Sequence, residues 1–303
     1  MNTVVSVIIP TYNGKHKVAN LLDSLATQTY DNFEIIVSID GSSDGTFEYL
    51  NTRISAFKNL IVLNEPNGGR AVCRNRGAIK AKGELLLFLD DDMRASADLI
   101  EKHVRKHAQF PNAIVVGSTF EDPKFTLTDI QKYKAYLSIK WSNVSDEKLT
   151  SPYISAANFS IPKNIFTQLG MFDEKLNDAE DYDLAITAFE NNIPIYFDTT
   201  LLGWHDDFIT CEKYIYRQRE YAFAQARLVK LKPERYLVKY PFRNKTKLGF
   251  MKRLVYSFFA SIFWVKMIDA NYLKYLPLFL KYKIYDFVIT GLAVHFEHRN
   301  AKV

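Results

Sequence analysis

The chain has 303 residues, 48% hydrophobic and 24% charged, the make-up of a globular protein with one large domain or two smaller ones. Only two cysteines, Cys73 and Cys211, are present, which argues against a disulfide-built secreted domain and reads as two small buried hydrophobes. The net charge of +5 conceals a division: residues 228–303 carry 15 Lys/Arg against 4 Asp/Glu, leaving 24 against 30 in the first 227. An acidic body with a basic, aromatic tail suits a metal and a substrate in one part and an anionic partner in the other.

Met1–Val5 lacks the basic and apolar regions of a signal peptide, so the expected compartment is the cytoplasm. Val4–Ile9 is β-branched and stops at Pro10, which predicts a buried first strand. After the turn Thr11-Tyr12-Asn13-Gly14, Val18, Leu21, Leu22 and Leu25 recur at helical spacing. Phe33–Ile39 predicts a second strand closing on Asp40-Gly41-Ser42-Ser43-Asp44-Gly45-Thr46, with the next helix starting at Asp44 or Thr46. Leu60–Leu63 predicts a third strand, and Asn67-Gly68-Gly69 a turn before a helix over Arg70–Lys82. Leu85–Leu89 is apolar throughout, as in a strand buried on both faces of a parallel sheet. Strand and helix alternating at this pace predict a doubly wound α/β fold. Further on, Ile114–Gly117 reads as a strand, 121–150 as a loop with a helix around Asp129–Ile139, and Ile154–Ile161 as a strand broken at Pro162. A helix is expected from Asp181 through Glu190, a strand at Pro194–Phe197, and a further strand end at Leu201–His205.

Asp90, Asp91 and Asp92 follow the fully apolar strand directly. Open α/β sheets bind ligands at the carboxyl ends of their strands. Three adjoining carboxylates repel one another, and hard oxygen ligands suit Mg²⁺ or Mn²⁺, which complete their shells with water and substrate phosphates. A solvated acidic turn is the alternative; the apolar run that aims the carboxylates favours a metal–phosphate site.

Several motifs occur together in order: Val5–Asn13, Ser24–Tyr30, Asp40–Thr46, Arg74-Asn75-Arg76-Gly77, Ala81–Glu84, Phe88–Asp92 and Glu180-Asp181-Tyr182-Asp183-Leu184. In this order and spacing the first two-thirds of the chain resembles the family-two inverting glycosyltransferases of GT-A fold; the tail lies outside the likeness. The resemblance implies that Thr11 and Tyr12 lie against the base or ribose of a nucleotide-sugar and that Asp40 accepts a hydrogen bond from the base. A UDP-sugar is favoured, with GDP- or dTDP-sugars as alternatives. The family often has two acidic residues before the Gly, and here the first is Ile39. The likeness also puts Arg74, Asp90 and Asp91 on the donor, makes Asp92 the ligand of Mn²⁺ or Mg²⁺, and offers His205 as a second contact. Asp181 is then the base of an inverting transfer, with Glu180 orienting the acceptor and Asn158 lining its site. Without the likeness, Asp181 reads as a helix N-cap, Asp40 as a turn-capping residue and His205 as a surface residue.

Processive synthases carry Gln-x-x-Arg-Trp, and Gln218-Arg219-Glu220-Tyr221 does not match, which argues for transfer of single sugars. The tail's apolar run, Leu254–Val265, has 12 residues. That is short of the roughly 20 that span a bilayer. With Lys252, Arg253 and Lys266 around it, it predicts helices lying on an anionic membrane at the inner face; a packed helical bundle is the alternative. No nucleic-acid motif accompanies the charge.

The expected protein is therefore a GT-A transferase domain at 1–227 with a basic helical extension at 228–303. It would move a sugar to a glycan or lipid-linked acceptor in cell-surface polysaccharide or glycolipid synthesis. A GT-A domain that binds sugar-nucleotides without turnover is the rival, opposed by intact Asp92 and Asp181. A nucleotidylyltransferase would need a Gly-rich, Arg-containing loop after the first strand. A dinucleotide-binding dehydrogenase would need Gly-x-Gly-x-x-Gly there; Pro10–Gly14 is neither.

Overall fold

The computed structural model describes residues 3–57, 59–141, 147–176, 178–206, 208–242 and 248–299. Two compact units result, Met1–Asp122 with Trp141–Asp206, and Pro123–Lys140 with Asp207–Val303.

The first unit begins with β1 (Val5–Thr11), α1 (Lys15–Leu25), β2 (Phe33–Asp40), α2 (Thr46–Arg53), β3 (Leu60–Glu65), α3 (Arg70–Lys80) and β4 (Leu85–Leu89). It continues through β5 (Met93–Ala95), α4 (Leu99–Gln109) and β6 (Ile114–Phe120). After α5 (Asp129–Trp141), most of which belongs to the second unit, come β7 (Glu147–Lys148), β8 (Asn158–Pro162), α6 (Lys163–Gln168), α7 (Glu180–Glu190) and β9 (Ile195–His205).

One sheet runs β3-β2-β1-β4-β8-β6-β9-β5, with β7 paired to β9. Strands β3, β2, β1 and β4 are mutually parallel, as the apolar runs predict. The expected α/β sheet is mixed rather than parallel throughout: β8 lies antiparallel between β4 and β6 and needs no helical crossover there. The first strands wind outward from β1 to β3; the chain then returns to lay β4 on the other side of β1. That reversal is a topological switch point, and it sets the carboxyl ends of β1 and β4 side by side.

Alternation along the strands explains the two cores. Val5, Val7 and Ile9 of β1, with Leu85, Leu87 and Leu89 of β4, face Leu21 and Leu22 of α1 and Leu99 of α4. Ile8, Leu86 and Phe88 point the other way, toward Ala71 and Ala78 of α3 and Leu184 and Ala188 of α7. Phe88 stacks on Phe159 at 4.8 Å between ring centroids and meets Phe166 and Phe172 at 5.2 and 5.4 Å.

Two expected strand readings change. The strand foreseen from Ile154 starts at Asn158, because a turn from Ser155 to Asn158 occupies the preceding residues. The two strand ends at 194–197 and 201–205 are one strand, β9, with its register to β6 shifting between Gly117 and Ser118. Residues 227 and 228 both lie inside α8 (Cys211–Leu231), a helix that belongs wholly to the second unit.

That unit comprises most of α5, α8, α9 (Phe250–Phe259), α10 (Ile262–Asp269) and α11 (Leu278–Thr290). It has a core of its own, in which Ile130, Tyr133, Cys211, Ile215, Tyr285 and Val288 pack together. Lys281 is buried and donates to Asp129 at 2.8 Å, and Asp269 accepts from the first backbone N–H of α8 at 2.6 Å. The tail is thus a packed helical unit, with part of its basic charge neutralised inside it. Arg219 donates to the carbonyls of Leu292 and Arg299, so this guanidinium is committed to the unit's own backbone. Among the described residues, no helix is long and apolar enough to cross a membrane.

Phe88→Ala empties the centre of a four-ring aromatic cluster beneath the switch point. It should lower stability by about 3–5 kcal/mol in chemical denaturation, the usual cost of a buried Phe.

Candidate active site at the carboxyl edge of the sheet

At the switch point, Thr11 Oγ1 donates to Asp91 Oδ2 at 2.7 Å, tying the end of β1 to the acidic turn after β4. Gly14 makes this approach possible. A Cβ there would lie 2.2 Å from the Asp91 carboxylate and 2.3 Å from Thr11 Oγ1. Tyr12, beside Thr11, is exposed. The loops after β1 and β2 are laced together: the Asn13 N–H donates to Ser42 Oγ, and the Ser43 N–H to Asn13 Oδ1, at 2.9 and 2.8 Å. Asp40 is buried, and its carboxylate accepts from the Gly68 and Gly69 N–H groups at 2.7 and 3.0 Å. Those bonds hold the loop before α3 against the end of β2. Ile39 points into the core, so an acidic residue there would be buried among aliphatic side chains.

Arg74 on α3 is the buried centre of the arrangement. Its guanidinium donates to Asp90 Oδ1 at 2.6 Å and, on its other side, to Glu180 at the start of α7. Burial opposes its charge, but Asp90 and Glu180 outweigh that and raise its pKa. Burial likewise works against the Asp90 carboxylate, yet Arg74, with Arg70 beside it, holds that carboxyl below its ordinary range. Asp181 lies next to Glu180 and accepts from the Ala156 N–H at 3.1 Å and the Tyr182 N–H at 2.8 Å. Burial, followed by the nearby Glu180, pushes Asp181 up to about 6.

The third carboxylate turns elsewhere. Asp92 Oδ1 lies 3.5 Å from His205 Nε2, and its Oδ2 lies 3.4 Å from Lys17 Nζ. The short strand β5 brings His205 there, because Met93 pairs with His205 across the β5–β9 ladder. Arg94 braces the ladder, donating to both oxygens of Asp206 and to Asp122 at 2.7–2.9 Å. Asp92 Oδ1 is buried without a hydrogen-bond partner, as is His205 Nδ1.

Among the described residues, no three His, Cys, Asp or Glu side chains converge on one point that could hold a metal. Asp92 and His205 nevertheless fit a Mg²⁺ or Mn²⁺ whose remaining positions go to water and phosphate, since such ions take few protein ligands. The orphaned Asp92 oxygen is the observation in favour of that fit.

Of the expected site residues, Thr11, Arg74, Asp90, Asp91, Asp92, Glu180, Asp181 and His205 gather around the ends of β1 and β4, with Asp40 at the adjoining end of β2. Asn158 does not join them. It is fully buried within the sheet, donating to the carbonyls of Ser118 and Leu201, while its Oδ1 lies 3.1 Å from His103 Nε2. Burial pushes His103 down to about 4 and His107 down to about 3, so both rings are neutral. Ser160 links them at 2.7 and 2.8 Å, which makes Asn158 the end of a core polar network with no surface for an acceptor.

Gly14, Lys17 and Arg94 also stand within the candidate site, and none of them is among the residues expected from the sequence. Gly14 stood in a recognisable Asn-Gly turn; the other two carry no signal beyond their charge. A cavity of about 980 Å³ lies at the amino edge of the sheet, lined in part by Lys82, Glu84, His107 and Lys163, apart from the acidic cluster.

Comparison with known proteins adds to this geometry. The sequence model for Glycosyl transferase family 2 matches residues 6–172. A Rickettsia felis protein named as an uncharacterized glycosyltransferase is 32% identical over 202 residues, which is 66% of this chain and 33% of that protein. The chain thus spans a third of the length of that relative. Among solved structures, the mannosyltransferase PcManGT of Pyrobaculum calidifontis, in complex with GDP-Man and Mn²⁺, aligns with a TM-score of 0.63. Its identity is 15%, over 97% of this chain and 88% of that one. TarS of S. aureus in complex with UDP aligns with a TM-score of 0.51 at 20% identity, over 97% and 91%. These likenesses establish the fold, a GT-A sheet with additional C-terminal helices.

The acidic turn should leave a signature in stability. Burial, and then the charge of Asp92, pushes Asp91 up to about 7. Its ionisation therefore disfavours the folded state: there is no penalty below the ordinary carboxylate pKa, a growing one up to about 7, and the full penalty above. Asp91→Asn should raise the Tm of metal-free protein at pH ~8 and leave it nearly unchanged at pH ~4, as read by thermal melts in chelator. Equal shifts at both pH values would show that Asp91 ionises freely.

Proposed function

The chain belongs to glycosyl transferase family 2, and from that premise we propose a metal-dependent, inverting transfer of single sugars from a nucleotide-sugar to a hydroxyl. The observation that carries this reading is the joining of two carboxylate groups with different surroundings through one buried Arg74. Asp90 lies on one side of it and Glu180-Asp181 on the other.

In this reading, Asp92 and His205 hold the divalent cation, which when bound supplies charge neutralisation for the departing diphosphate. Thr11, Tyr12 and Asp40 line the nucleoside side, and Asp90 and Asp91 face the ribose and metal-bound water. Arg74 serves the donor by holding Asp90 ionised rather than by direct contact. A UDP-sugar is the favoured donor. TarS binds UDP and PcManGT binds GDP-Man, which supports the class of donor and leaves both nucleotides in play.

Asp181 acts as general base. It takes the proton of the acceptor hydroxyl as that oxygen bonds to the anomeric carbon. The carbon's bond to the diphosphate breaks on the opposite face, and the nucleoside diphosphate leaves with the electron pair. A carboxylate raised to about 6 is a better base than an ordinary one and still largely ionised at neutral pH. Glu180, fixed by Arg74, orients the acceptor, a glycan or lipid-linked hydroxyl of a cell-surface polysaccharide or glycolipid precursor. Release of nucleotide from a panel of nucleotide-sugars tests the activity and separates it from binding without turnover.

Two substitutions test the roles. Asp92→Asn should keep the fold and abolish most of the Mn²⁺-dependent gain in affinity for nucleoside diphosphate; calorimetry showing an unchanged gain would move the metal elsewhere. Asp181→Asn should bind donor and metal normally while turnover falls by at least ~10². In the wild type, kcat should rise with pH through about 6, as the carboxylate ionises, and then level off. Wild-type turnover in the Asn variant would pass the role to Glu180 or Asp183.

A further inference from the structure

The apolar stripe of α9 faces away from its own core. Phe250, Met251, Leu254, Val255 and Phe258 recur at intervals of one, three and four along one side of the helix and are all exposed, Phe250 at 76% and Phe258 at 65%. No residue of α9 is buried. Its opposite side is the docked one: Tyr256 and Phe259 pack against Phe287 at 5.4 and 5.3 Å, and Arg299 donates to the Ser257 carbonyl at 2.8 Å. The stripe continues onto α10, where Trp264 meets Phe258 at 5.7 Å and exposed Phe263 at 5.5 Å.

A soluble helix ordinarily turns such a stripe inward. Here the helix is anchored by one side and offers aromatic and aliphatic side chains on another. Lys252 and Arg253 on α9 and Lys266 on α10 are exposed on the same two helices. The only acidic residue on the two helices is Asp269, which is engaged in capping α8. Apolar side chains that insert, with cations around them and no exposed anion among them, match an anionic lipid surface in both chemistry and charge. A second copy of this chain would bring the same cations together.

We propose that the exposed face of α9 and α10 is a docking surface for an anionic lipid bilayer. The proposal deepens the functional reading by naming a partner, yet rests on the geometry of these two helices alone, so transfer activity and lipid binding can fail separately.

The test uses the full chain and three measurements. Sedimentation is compared with vesicles of phosphatidylglycerol and phosphatidylcholine and with phosphatidylcholine alone, at low and high salt. Wild-type protein should partition onto the anionic vesicles and be largely released by high salt. Lys252→Gln with Arg253→Gln should weaken partitioning by roughly 30-fold, the usual effect of two basic residues at an anionic surface. Leu254→Glu with Phe258→Glu should weaken it by at least ~10-fold even at low salt. The melting temperature of the Lys252/Arg253 variant should stay at the wild-type value, and that of the Leu254/Phe258 variant should fall only slightly, by the loss of the Phe258 contact with Trp264, so that both remain folded at the assay temperature. Nucleotide release in solution should also be unchanged; it reports on the transferase reading independently of lipid. The proposal is overturned if wild-type protein ignores anionic vesicles at low salt, or if neither pair of substitutions alters partitioning. Light scattering that shows a dimer which Leu254→Glu with Phe258→Glu dissociates would overturn it too, because the stripe would then be covered by a second copy.

Discussion

The buried guanidinium of Arg74 is the interaction on which the site depends. Five carboxylates stand at one edge of one sheet, and their mutual repulsion has to be offset by something other than water. Arg74 meets two of them, Asp90 and Glu180, and thereby joins the turn after β4 to the start of α7. Removing one partner of a buried ion pair leaves an uncompensated charge, at a cost of about 3–5 kcal/mol. The same cost makes the geometry specific: α7 cannot drift from β4 without stranding Arg74. The other three carboxylates are handled differently. Asp181 leans on two backbone N–H groups, Asp91 on a hydroxyl and a raised pKa, and Asp92 on His205 and Lys17.

This division explains why three adjoining aspartates need not behave alike. Asp90 is kept charged by a fixed cation and Asp91 is biased toward its neutral form. Asp92 retains a buried oxygen without a hydrogen-bond partner. A cluster with three states of readiness can bind a cation through one member while the others keep its surroundings from accumulating full negative charge. The fold makes this possible at the switch point, where β1 and β4 end together and the loops after β1, β2 and β3 are pinned by Asn13, Ser42 and Asp40.

What was legible in the sequence was whatever is encoded locally. The Leu85–Leu89 run announced a strand buried on both faces, and the aspartates after it announced a strand end. Arg74 stood within a recognisable motif, but its role as a bridge depends on Glu180, 106 residues later. Gly14 is required because of Asp91, and nothing around Gly14 reveals that. Strand β5 escaped notice because three residues with a central Arg show no alternation long enough to read. Asn158 was misjudged for a related reason. A polar residue on a strand that precedes the proposed catalytic pair suggests a substrate contact, but an amide can equally satisfy carbonyls left open where a strand's register shifts. Its partners Ser118 and Leu201 flank that irregularity in the pairing of β6 and β9.

The second unit shows the same limit for charge. Counting Lys and Arg in residues 228–303 makes the tail appear uniformly basic, yet Lys281 is spent on Asp129 and Arg299 on a backbone carbonyl. Composition cannot separate cations that hold a unit together from those that face outward. The apolar residues divide likewise: Tyr285 and Val288 build a core while Phe250 and Phe258 lie open to solvent. Only helix phase sorts the two sets, and on α9 it sorts them opposite to the usual rule, with the anchored side narrow and the free side apolar. A helix held in that orientation by Arg299 and two aromatic contacts has a stripe that none of the described residues covers, and the exposed cations on the two helices define the sign of what can cover it.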